Sequence, residues 1–94
     1  RAGEKESQGD RKARQSAQRT ARRTVETTEA RVHQLDAEVT TLHAALEDPA
    51  LYAATDGAAV AAKHSARLKL ARAELDQAYA EWTRATESLE KLGP

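Results

Sequence analysis

"LEDPALYAATD", residues 46–56, is the one stretch in the middle of the chain that interrupts an otherwise continuous run of helix-forming residues. Asp48 stands before Pro49, and a proline ring crowds a helical residue ahead of it, so the break falls at a defined place. Upstream, Val25, Thr28, Val32, Leu35, Val39, Leu42 and Leu46 recur at alternating spacings of three and four, the heptad seam of a helix with a partner. Downstream, His64, Leu68, Ala71, Leu75, Ala78, Trp82, Ala85, Leu89 and Leu92 do the same. A connection this short permits only an antiparallel return, so each helix is expected to partner the other.

The expected fold is therefore all-α: a two-helix antiparallel coiled-coil hairpin over 21–94, preceded by a flexible basic arm over 1–20 that is disordered or frayed. Helix 1 is expected over about 21–47, the tip over 48–55 and helix 2 over about 56–92, with Asp56 as N-cap and Gly93-Pro94 as the stop. Pairing Val39 with Leu68, Leu35 with Ala71, Val32 with Leu75, Thr28 with Ala78 and Val25 with Trp82 keeps the residue numbers adding to about 107 and sets like seam position against like. Alanines then face branched residues, which lets the backbones approach.

Composition agrees with a thin core. Of 94 residues 39% are hydrophobic, the only aromatics are Tyr52, Tyr79 and Trp82, and 32% are charged, a mixture that favours long helices over sheets. The N-terminal ten residues, "RAGEKESQGD", carry no apolar repeat and read as linker. The chain starts at Arg1 without a Met and is expected to be a piece of a longer protein. The chain has no cysteine, which excludes a disulfide framework and thiolate chemistry and suits a cytoplasmic protein. No apolar run approaches the roughly 20 residues of a membrane span, and no membrane partner is expected.

The formal net charge is zero, but its distribution is uneven. Residues 1–24 hold eight basic against three acidic residues, while 25–50 hold Arg31 alone against six acids. Arg11, Lys12, Arg14, Arg19, Arg22 and Arg23 concentrate positive charge in the arm, and Lys63, Arg67, Lys69 and Arg72 form a second group near the tip. Phosphate contacts from such residues give sequence-independent, salt-sensitive affinity for a nucleic acid, with the solvated charge of a soluble helix as the alternative. Neither group contains interleaved aromatics, which argues against base stacking on a single strand.

Catalytic patterns are missing from the sequence: there is no Walker-type glycine loop, no Gly-x-Ser-x-Gly and no Cys/His metal spacing. His43 and His64 face one another in the expected register, with Glu47 a turn beyond His43, but a structural zinc site wants four ligands. They read as polar residues at the edge of the seam, and no metal is expected. At the tip, Pro49 sets the break, while Leu51 and Tyr52 either plug the end of the stack near Leu46 and Val60 or present a contact to a partner.

The tip and its flanks carry a resemblance. "LEDPALY", preceded by "ARVHQLDAEVTTLHAAL" and followed by "ARAELDQAYAEWTRATESLEKL", resembles the C-terminal domain of the Uup-type ABC-F ATPases over about Arg22 to Leu92. In that family a Leu-x-Asp-Pro-x-Leu-Tyr tip joins two coiled-coil helices, and the second helix carries a Leu-x-x-Ala-x-x-x-Trp-x-x-Leu pattern, matched here by Leu75, Ala78 and Trp82 and less closely by Ala85. Departures lie in "SAQRTARR", which lacks the family's aromatic and leucine, in Thr28 at a usual leucine position, and in Asp56-Gly57 where the family often has Asp-Pro.

The resemblance implies a non-catalytic domain without cofactors of its own, with ATP and Mg bound only by ATPase domains elsewhere in the parent chain. It implies DNA as partner, with ribosomal RNA as the alternative, since ABC-F proteins generally act on the ribosome. A third possibility is a coiled coil for protein docking or dimerisation alone, contacting the ATPase domains or a second hairpin. Exposed apolar residues outside the seam are few, mainly Val60, Leu70 and Tyr79, so the fragment is expected to be monomeric.

Overall fold

A computed structural model describes residues 7–93. Among these described residues three helices follow in order, α1 (Gln8–Glu47), α2 (Pro49–Ala53) and α3 (Gly57–Leu92), and α1 and α3 pack antiparallel into a rod of 78 × 15 × 15 Å. The core is a single seam: Val32, Leu35, Leu42, Leu68, Ala71, Ala78 and Ala85 are buried, with Leu75 and Trp82 partly buried against the Val32–Leu35–Ala78 cluster. Ala71 and Ala78 are 0% and 1% exposed, and their small side chains leave room for the two backbones to approach.

The register differs from the expected one by about a turn. Flanking pairs on one side, Glu38–Arg67 and Arg31–Glu74, have residue numbers adding to 105, and those on the other, His43–Arg72 and His33–Trp82, add to 115. The seam between them therefore runs at 110, which sets Leu42 level with Leu68, Val39 with Ala71, Leu35 with Leu75, Val32 with Ala78 and Thr28 with Trp82. Reversing one helix reverses the order of its three- and four-residue gaps. Only when unlike seam positions face each other do the gaps of both helices coincide step for step, and the 110 register satisfies that condition throughout. Trp82 accordingly packs on the Val32 cluster and beside His33, not opposite Val25.

α1 starts at Gln8, well before the expected start near residue 21. The cause is local: Arg, Lys, Gln and Ala dominate this stretch, and the Ser7 hydroxyl accepts a bond from the Asp10 N–H at 3.0 Å, with the Asp10 carboxylate in the first turn. The arm thus enters the rod as helix from Gln8, while residues 1–6 of the expected linker lie outside the described residues. Gln18, level with Leu92, donates from Nε2 to the Gly93 carbonyl at 3.2 Å. Residues 8–17 project beyond the end of α3 by roughly 15 Å.

Thr28 occupies the seam without leaving a polar orphan. Its hydroxyl reaches back to the carbonyls of Thr24 at 2.8 Å and Val25 at 3.0 Å, the usual accommodation of threonine inside a helix. At the far end Gly93 adopts φ 73°, ψ −177°, a positive-φ extended backbone that glycine takes without a Cβ penalty. Pro94 lies outside the described residues.

The expected loop at the tip is a short helix. Asp48 is extended (φ −77°, ψ 118°), its side chain accepts from the Ala50 N–H at 2.9 Å, and Pro49 takes the first helical position, where its missing N–H costs nothing. Gly57 is buried because α2 lies on it: a Cβ there would stand 2.1 Å from the Leu51 carbonyl oxygen. Asp56 occupies the N-cap position of α3, but at φ −98°, ψ 12° its side chain makes no capping bond; the Gly57 N–H instead donates to the Ala54 carbonyl at 3.0 Å. The proline often found here in the resembled family would remove that bond and meet the same obstruction.

Candidate nucleic-acid interface

The tip residues divide their roles. Leu51 is half-buried, whereas Tyr52 is 57% exposed and its phenol donates to the Leu46 carbonyl at 2.6 Å. That carbonyl is among the last four of α1 and has no helical partner of its own. Tyr52 thus ties α2 to the end of α1, while Leu51 is set at the tip with part of its surface covered. Pro49 is exposed.

Of the arm's basic residues, Arg11, Lys12, Arg19, Arg22 and Arg23 are all exposed, and none makes an ion pair among the described residues. At 100° per residue they fall within an arc of about 120° along about 18 Å of α1, on one flank of the seam and the outer face. Arg14 is exposed but lies on the seam side, in line with Gln18 and Ala21, and is not part of this stripe. Helical geometry thus places the charges of the stripe on one face at one end of the rod.

The second group does not come together. Arg67 and Lys63 lie on one flank of α3, Arg72 on the other and Lys69 on the outer face. Arg67 is held by two carboxylates: Nε and Nη2 bond both oxygens of Glu38 at 2.7 and 2.6 Å, and Nη1 and Nη2 reach Glu74 at 3.3 Å. Arg31 adds a longer contact to Glu74 at 3.9 Å. The fork of bonds from Arg67 holds the Glu38 carboxyl below its ordinary range, and the two carboxylates raise Arg67 further above its own. Arg72 lies against His43 on the opposite side. Lys63 and Lys69 remain exposed singly.

His43 therefore faces Arg72, and no cluster of three or more His, Cys, Asp or Glu capable of holding a metal occurs among the described residues. The carboxylate partners Glu38 and Glu74 escape a reading that looks for basic clusters. Their signal is the seven-residue spacing of Arg31 and Glu38 on one helix and of Arg67 and Glu74 on the other, beside the seam and opposite in sign. A smaller group, His33, Trp82 and Tyr79, forms a tilted aromatic contact with ring centroids 6.4 and 6.2 Å apart. Among the described residues no helix is long and apolar enough to cross a membrane.

A helical hairpin closed on itself, with a Pro-initiated tip and a basic overhang, defines an intramolecular antiparallel coiled coil. The family profile of the ABC transporter C-terminal domain matches residues 16–87, and the chain belongs to that family. No match was found among curated proteins or among solved structures.

Proposed function

We propose that this chain is the non-catalytic C-terminal domain of a cytoplasmic ABC-F ATPase of Uup type, and that it binds the phosphate backbone of DNA without sequence preference, tethering the ATPase to it. The observation that carries the reading is the basic stripe of Arg11, Lys12, Arg19, Arg22 and Arg23, exposed along one arc of α1 and clear of the acidic middle of the rod. The tip-proximal residues contribute less: Lys63 and Lys69 are open to solvent, but Arg67 and Arg72 are engaged within the hairpin. ATP and Mg are bound by ATPase domains of the parent chain, and this domain needs no cofactor.

Binding by such a stripe weakens linearly with the logarithm of salt, by a slope of about −0.9 per phosphate neutralised on duplex DNA. A titration of the 94-residue chain against duplex DNA and ribosomal RNA in parallel tests the proposal. Salt-sensitive binding with preference for the duplex supports it. Preference for ribosomal RNA replaces DNA with the ribosome as partner, and no binding to either at low salt leaves a protein-docking hairpin.

A further inference from the structure

Beside the observed register a second comes close to satisfying the seam, with like positions facing and alternate layers one residue out of level. In the observed one Leu42 is level with Leu68, Leu35 with Leu75 and Val32 with Ala78. If α3 slides four residues toward the start of α1, about 6 Å along the axis, Leu35 comes level with Ala71, Thr28 with Ala78, and Val39 and Val32 close to Leu68 and Leu75. Every layer again joins seam residue to seam residue. Arg67 comes within one residue of level with Glu38, and Arg31 with Glu74, so the oppositely charged flank stays paired. The slide gives up the His43–Arg72 and His33–Trp82 contacts on the other flank.

What opposes the slide is the tip. In the observed register Gly57 begins α3 about six residues, or roughly 9 Å, above the level at which Glu47 ends α1. α2 fills that step: Asp48 caps it, Tyr52 ties it to the Leu46 carbonyl, and its Leu51 carbonyl rests on Gly57, where a Cβ would stand at 2.1 Å. Sliding α3 by four residues reduces the step to roughly 3 Å, too little to hold a helix between the two ends.

We propose that the hairpin has a second seating, displaced by about a turn, and that α2 is the spacer that keeps it out. A packed seam with two discrete arrangements transmits displacement along its length, because intermediate positions place knobs on knobs. Dislodging α2 at the tip therefore moves the far end of α3, carrying Glu87 and Glu90 about one turn along the arm that bears the basic stripe. The slide itself does not depend on what that stripe binds.

The chain has no cysteine, so spin labels can be placed at two exposed sites, Thr41→Cys and Thr83→Cys, without competing thiols. The sites are separated along the axis by about 21 Å in the observed register and about 27 Å after the slide. The parent chain is expected to show one distance. Gly57→Val, which denies α2 its seat, and the milder Asp48→Ala with Tyr52→Phe, which unties it, are each expected to add a population longer by about 6 Å while helix content is kept. An unshifted single distance in both variants, or a broad featureless distribution in both, overturns the proposal.

Discussion

Arg67 on α3 grips both carboxylate oxygens of Glu38 on α1, at 2.6 and 2.7 Å, and so joins the two helices beside the seam. Both side chains keep over a third of their surface exposed, so solvent and salt screen the pair, and its contribution is modest. The bond lowers the Glu38 pKa from the ordinary 4.5. The unfolded chain therefore takes up a proton there before the folded one does. The resulting stability is fully present above the ordinary carboxylate range and lost as pH falls through the folded value. Thermal melts from pH 6 downward should show Glu38→Gln losing less stability than the parent below about pH 4.5, a difference that shrinks in high salt.

The seam predicts a second set of outcomes. Val32 is 2% exposed and level with Ala78, so Val32→Ala should cost about 2 kcal/mol, toward the low end of large-to-small changes because a two-helix core can partly collapse. Ala78→Leu should cost about 1–3 kcal/mol for the opposite reason, since it forces the backbones apart. Denaturant unfolding followed by circular dichroism measures both. A neutral Ala78→Leu would contradict the close approach at that layer.

At the tip, Gly57→Ala places a methyl against the Leu51 carbonyl and should destabilise by about 1–3 kcal/mol. Alanine elsewhere in a helix normally stabilises relative to glycine, so the sign is diagnostic. Tyr52→Phe removes the bond to the Leu46 carbonyl and should cost about 0.5–1.5 kcal/mol. Amide exchange at Gly57, whose N–H is bonded to the Ala54 carbonyl, should quicken in both variants.

The hairpin is legible in the sequence because its determinants are periodic or local. Alternating gaps of three and four mark each seam, Asp48-Pro49 marks the break, and a short connection forces the return. The register is less legible, because pairing like seam positions overlooks that reversing one helix reverses the order of its gaps, and because the step between the helix ends depends on how Pro49–Ala53 folds. α2 depends on Asp48 capping, on Tyr52 reaching Leu46 and on the bare Cα of Gly57, three contacts that no residue pattern declares. The basic residues illustrate the same divide. Arg19, Arg22 and Arg23 stay on an exposed face whatever α3 does, whereas the engagement of Arg67 and Arg72 follows from which residues of α1 stand beside them.

That divide bears on binding. If the stripe on α1 carries the phosphate contacts, Arg67→Gln should leave duplex affinity within about twofold, since its guanidinium is committed to Glu38 and Glu74. A large loss on Arg67→Gln, with helicity intact, would move the interface toward the tip.

The most direct measurement is the salt dependence of duplex-DNA binding for the parent chain and for Arg19→Gln/Arg22→Gln/Arg23→Gln, with circular dichroism confirming equal helix content. Removing three phosphate contacts should flatten the slope of log affinity against log salt by about 2 to 3 and weaken binding at low salt. Equal affinity and equal slope in the two proteins would contradict the assignment of the stripe as the nucleic-acid interface.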